Sequence, residues 1–237
     1  MKNIIIIGAS GHGSVILDCI EKEGKYNVVG FVDSFKQKGT THNGYEILGN
    51  EFEIPYLTKK NNLYGGIIAI GDNWTRKNVC DRITVIAPDF RFITSIHPKA
   101  VIGKDTYIGK GTVIMPGAIV NSNTVIKDFC ILNTNSSLGH DSIIEEFSSI
   151  APGVSIGGGF YLGTFSAVSI GAIIIENIMI REHTIIGAGS LVTKDFPEYI
   201  VAHGTPAKII RTRERGEYYL KGTSGRTSNI PIYTTPS

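Results

Sequence analysis

Every sixth residue from Ile102 to Val192 is aliphatic, sixteen positions without a break. The residue two places earlier is small at most steps, as at Thr112, Ala118, Thr124, Cys130, Ser136, Ser142 and Ser148. Glycine often follows the aliphatic residue, as at Gly103, Gly109, Gly139, Gly157, Gly163 and Gly187. A helix repeats about every 3.6 residues and a strand every second one, so neither accounts for a period of six. A stack of parallel β-coils does. Each hexad is then a short strand and a corner, with the aliphatic side chain inside and the small one filling the corner. The glycine supplies backbone angles that other residues resist. Three hexads per triangular coil give about eighteen residues a turn, a rise of about 4.8 Å, and about five turns over the repeat from Ile102 to Val192.

Residues 1–97 follow another pattern. "NIIIIGASGHGSVILDCIEKEG" reads as a buried strand, a glycine-rich turn and an amphipathic helix. "YNVVGFVDS" and "GGIIAIGDN" read as further strands, and "WTRKNVCDRI" as a second helix. Strands alternating with helices predict a small α/β parallel-sheet domain of Rossmann type. The four isoleucines at Ile4–Ile7 are too few for a signal peptide or a membrane span. A hydrophobic share of 42% against 19% charged suits a globular chain, and a net charge of +2 gives no nucleic-acid signature. Cys19, Cys80 and Cys130 are too far apart for a disulfide framework or a metal-ligand pair, which implies a reducing cytoplasm.

Open α/β sheets bind ligands beyond the carboxyl ends of their strands, so the turns after the three strands share one crevice. Ser10, Gly11, His12, Asp33, Gly71 and Asn73 are the candidates there. The spacing Gly8, Gly11, Gly13 is not the dinucleotide pattern G-x-G-x-x-G. It serves either a tight turn or a phosphate at a helix N-terminus. Asp33 has two readings as well, a turn cap or a ribose contact.

"GASGHG", "AIGDN" with Arg76, "IHPKAVIG", "LNTNSSLGHD" and "GTPAKII" together resemble the sialic acid O-acetyltransferase and bacillosamine N-acetyltransferase family. The resemblance implies a nucleotide-sugar domain (1–97), a left-handed parallel β-helix (98–207), and a homotrimer with active sites between subunits. It implies acetyl-CoA as cosubstrate, no metal, and an acceptor amino sugar carried on UDP, dTDP or GDP. It makes His140 the general base, Asp141 its neighbouring carboxylate and Asn133 an active-site amide. Gly11, His12 and Asp33 fall on the nucleotide-sugar site, and Lys208 near the nucleotide end of coenzyme A. Where many relatives carry a histidine that approaches the thioester, this chain has Ser149. Residues 208–237 are expected to form a basic terminal helix and a loose tail.

The repeat places His140 just beyond the inward Leu138, at a corner and facing out. It is either a surface histidine or a base near neutral pH. Eighteen residues on lies Gly158, inside the triple glycine 157–159, which serves either a corner or a notch for the carrier's pantetheine arm. In the second reading a Gly158 N–H holds the thioester carbonyl as charge develops. O-acetylation, transfer of another acyl group and a non-catalytic nucleotide-sugar scaffold are the alternatives. Of the remaining histidines, His183 is expected at the surface and His97 in a structural turn. Cys130 is expected to pack a corner.

Overall fold

The computed structural model describes residues 1–220. The first domain runs β1 (Lys2–Ile7), α1 (Gly11–Glu23), β2 (Tyr26–Val32), β3 (Thr41–His42), β4 (Tyr45–Gly49), α2 (Ile54–Lys60), β5 (Leu63–Ile68) and α3 (Asn73–Ile86). Its sheet has the order β3-β4-β2-β1-β5, with β1 between β2 and β5 and parallel to both. The isoleucine run makes β1. Ile4 and Ile6 pack with Ile16 and Ile20 of α1, while Ile5 and Ile7 pack with Ile54 of α2 and Ile83 of α3. A strand covered on both faces needs a continuous apolar run rather than an alternating one.

The coil consists of seventeen two-residue strands, β6 (Ser95–Ile96) through β22 (Leu191–Val192), closed by the hairpin β23 (Ile200–Gly204) and β24 (Ala207–Thr212). Its strands fall into three parallel sheets, one per face. Each strand pairs with the one eighteen residues on, as Leu132 with Ile150 and Ile126 with Ile144. Of the sixteen aliphatic positions, the fourteen from Ile114 onward are buried, and Ile102 and Ile108 in the first coil are partly buried. The small hydroxyl residues are buried too and bond the corner backbone: Ser142 Oγ donates to the Gly139 carbonyl at 2.8 Å, and Ser166 Oγ to that of Arg181 at 2.7 Å.

The glycines after the aliphatic positions do not supply unusual backbone angles. The left-handed residue comes three places after each aliphatic one: Asn123, Phe129, Asn135, Asp141, Phe147 and Gly153 follow in order, with φ between 55° and 67°. The glycine one place after sits where coils touch. A Cβ on Gly139 would lie 2.3 Å from the Gly157 backbone, and one on Gly163 would lie 2.4 Å from Glu182 N. Glycine there answers close approach, not conformation.

One corner carries an aromatic ladder. Phe129, Phe147, Phe165, His183 and Tyr199 stack with ring centroids 4.7–5.8 Å apart. His183 is therefore 3% exposed, not at the surface as expected. Ala207–Thr212 is a strand where a terminal helix was expected, because it pairs antiparallel with β23. The expected tail from residue 221 on lies outside the described residues.

Candidate active site

His140 stands at the corner between β13 (Ser137–Leu138) and β14 (Ile143–Ile144), with its side chain 65% exposed. The left-handed backbone at Asp141 (φ 56°) turns that carboxylate back toward the ring, and Nδ1 lies 2.6 Å from Asp141 Oδ2. A carboxylate only accepts, so Nδ1 carries the hydrogen, and in the neutral ring Nε2 then presents a lone pair. The hydrogen bond from His140, with a second from Asn123 Nδ2 at 3.2 Å, holds the Asp141 carboxyl below its usual range. Gly158 lies against the ring's other edge. A Cβ there would be 2.6 Å from Nε2. Gly158 accepts through its carbonyl from Asn177 N (2.8 Å). Among the described residues its own N–H has no backbone acceptor.

A second feature lies where the two domains meet. A crevice of about 400 Å³ is lined by His12 and Gly71 from the first domain and by Asn133, Ser149, Ala151 and Ser169 from the coil. Tyr219 and Leu220 from the chain's last described turn complete it. Burial, helped by the charge of Arg76, lowers the His12 pKa to about 4, so its imidazole is neutral near pH 7. His12 Nε2 is buried without a hydrogen-bond partner among the described residues. His140 does not line this crevice.

Ser10 and Gly11 sit exposed at the N-terminus of α1; Ser10 caps with backbone angles alone, and Gly11 faces open space. Asp33 holds the loops together: its carboxylate accepts from Ala9 N at 2.7 Å and Phe35 N at 2.8 Å. Asn73 is withdrawn from the crevice, contrary to expectation. It is 1% exposed, its amide donates to the Ser166 carbonyl (3.0 Å), and its Oδ1 accepts from Arg76 and Ser149. Ser149 lines the crevice, but its hydroxyl is spent on Asn73 at 2.6 Å. Lys208 is exposed on β24, opposite His203. Cys130 donates to the Glu145 carbonyl, and burial pushes its thiol up to about 12, so it offers no thiolate.

Two elements were not legible as site features. The fully buried Arg76 donates to the Phe129, Ile70 and Gly71 carbonyls at 2.8–3.0 Å and bolts α3 to the coil. The second is Tyr219–Leu220, which carries no sequence signal because its partners lie near residue 72. Among the described residues, no group of three His, Cys, Asp or Glu side chains is placed to hold a metal ion, and no helix is long and apolar enough to cross a membrane.

Residues 3–83 match the PglD N-terminal domain, and residues 99–134 match the bacterial transferase hexapeptide (six repeats). A UDP-N-acetylbacillosamine N-acetyltransferase of Bacillus subtilis (strain 168) is 36% identical over 117 residues, 48% of this chain and 52% of that protein. The match thus spans about half the length of that curated relative. A perosamine N-acetyltransferase from Caulobacter crescentus was solved with CoA and GDP-perosamine as a variant with one histidine changed to asparagine. It superposes with a TM-score of 0.83 at 29% identity, over 88% of this chain and 97% of that one. The acetyltransferase domain of PglB from Neisseria gonorrhoeae FA1090, in complex with acetyl coenzyme A, superposes at 0.80 with 27% identity, over 88% and 99%. The chain thus carries a PglD N-terminal domain leading into a transferase-type hexapeptide coil, and is similar over that stretch to nucleotide-sugar N-acetyltransferases.

Proposed function

We propose that this protein transfers an acetyl group from acetyl-CoA to the amino group of a nucleotide-linked amino-dideoxy sugar. The observation that carries the reading is the His140–Asp141 pair at 2.6 Å, exposed beside the bare Gly158 backbone. The acceptor nitrogen attacks the thioester carbonyl, a C–N bond forms and the C–S bond breaks. His140 Nε2 takes the proton that the nitrogen loses, and the departing thiolate is protonated to the free thiol. Asp141 orients the ring and stabilises the imidazolium. The Gly158 N–H supports the developing oxyanion. Direct transfer is favoured over an acyl-enzyme because all three cysteines are buried, and burial keeps their thiols protonated. Relatives that act on nucleotide amino sugars favour nitrogen over oxygen as acceptor.

Ser10, Gly11, His12, Asp33 and Gly71 hold the nucleotide sugar in this reading. Asn133 and Ser149 border the reacting end, and Lys208 meets the nucleotide end of coenzyme A. His140 and the crevice occupy different parts of the coil, so one chain supplies two half-sites. A closed ring of three chains brings the His140 corner of one against the crevice of the next. Free, buried cysteines fit work in the cytoplasm, where both substrates occur.

The test follows thiol release from acetyl-CoA with UDP-, dTDP- and GDP-linked amino sugars. The His140→Ala variant is expected to lose about 100- to 10,000-fold in kcat with coenzyme binding kept. Unchanged turnover removes His140 from the mechanism. Light scattering that shows a monomer removes the shared site.

A further inference from the structure

We propose that Tyr219 and Leu220 determine specificity: residues 213–220 form a strap across the domain seam, and its end sets the size of the group seated in the crevice. This rests on the acyltransferase reading above. The strap leaves β24 at Thr212 and is fixed at each step. Arg213, 7% exposed, donates to the His183 carbonyl at 3.3 Å and to the Glu217 carbonyl. Arg211 pairs with Glu217 at 2.6 Å and so closes the loop. Gly216 (φ 78°) lies flat on Trp74, where a Cβ would come within 2.7 Å of the indole nitrogen, and the Arg215 guanidinium stands 5.4 Å from that ring. Tyr219 then donates its N–H to Asp72 Oδ2 (3.3 Å) and its hydroxyl to the Gly71 carbonyl (3.1 Å).

These contacts put the Tyr219 ring and the Leu220 side chain into the crevice wall opposite the coil. The facing coil residues are small or aliphatic, among them Ala151, Val168 and Ala188. Such a lining selects a compact apolar group by volume. Two substrate parts have that chemistry: the alkyl end of the acyl group and the deoxy carbon of the acceptor sugar. Leu220 is still 47% exposed, so its bulk can change without emptying a core.

The experiment uses the full chain with Leu220→Ala and Leu220→Trp. Acetyl-, propionyl- and butyryl-CoA are compared with one acceptor, and sugars with a 6-methyl or a 6-hydroxymethyl group are compared with acetyl-CoA. Loss of one to three methylenes' worth of wall is expected to shift the kcat/KM ratio toward the larger member by about tenfold in Leu220→Ala. Leu220→Trp shifts it the other way. A shift in the acyl series seats the acyl chain in the crevice, and a shift in the sugar series seats the acceptor. Ratios unchanged in both series for both variants overturn the proposal. Binding of the same ligands, read by isothermal titration calorimetry, gives Kd ratios that need no turnover. A wild-type chain that releases no thiol therefore ends the acyltransferase reading, while Kd ratios equal among the wild type and both variants end the strap proposal.

Discussion

Nothing in the backbone at Gly158 requires glycine. The left-handed residue of that corner is its neighbour Gly159, with φ 67°. What excludes a side chain is the His140 ring, which a Cβ would approach to 2.6 Å. Gly158→Ala is therefore expected to fold normally, since an exposed ring can swing aside, but to break the Nδ1–Asp141 contact. Steady-state kinetics should show kcat lower by about 100-fold or more, with a melting curve close to wild type. The stacking of Gly158 on His140 was legible because a period of eighteen can be counted. Asp141 as the neighbouring carboxylate came from the family resemblance and not from the period, since neighbouring side chains in a regular strand diverge; the left-handed corner turns it back. Asn73 misled for the opposite reason. Its polar partners Ser149 and Ser166 stand 76 and 93 residues away, and nothing local announces them.

The inward aliphatic ladder, β1, β2, β5 and the helices α1 and α3 were all readable from periodicity. The short hairpin β3–β4 and helix α2 were not, because Thr41–His42, Tyr45–Gly49 and Ile54–Lys60 carry neither a continuous apolar run nor enough turns to show a helical period. The aromatic ladder was written at 129, 147, 165 and 183, eighteen apart, and was legible in principle once the coil length was known. Phenylalanine at positive φ is costly on its own. Stacking against Phe92 at 5.0 Å, Trp74 at 5.1 Å and the neighbouring rungs offsets that cost. Phe147, 4% exposed, stacks between Phe129 and Phe165. Phe147→Ala leaves a cavity at the domain seam and is expected to cost about 3–5 kcal/mol, measured by denaturant unfolding. An exposed coil position such as Ile173→Ala should cost far less.

The two domains are joined over apolar surface, with Val113, Met115 and Ile131 of the coil packed into the α1 side of the sheet. Arg76 lies at the centre of that joint as a buried cation, and His12 stays neutral near it. Folding thus lowers the His12 pKa from 6.5 to about 4. Between those values the unfolded chain binds more protons than the folded one, so stability falls as the pH drops from about 6.5 to 4. The loss attributable to His12 approaches about 3 kcal/mol below that window. Urea midpoints across the window should flatten in His12→Gln. A stack of parallel coils is also, in geometry, a short length of fibril: each rung offers its backbone to another rung. Here α1 packs against β6 at one end, and β24 reverses direction at the other, carrying Lys208 and Arg211 on its outer edge. Those two stoppers turn an arrangement that otherwise grows without limit into a particle of fixed length.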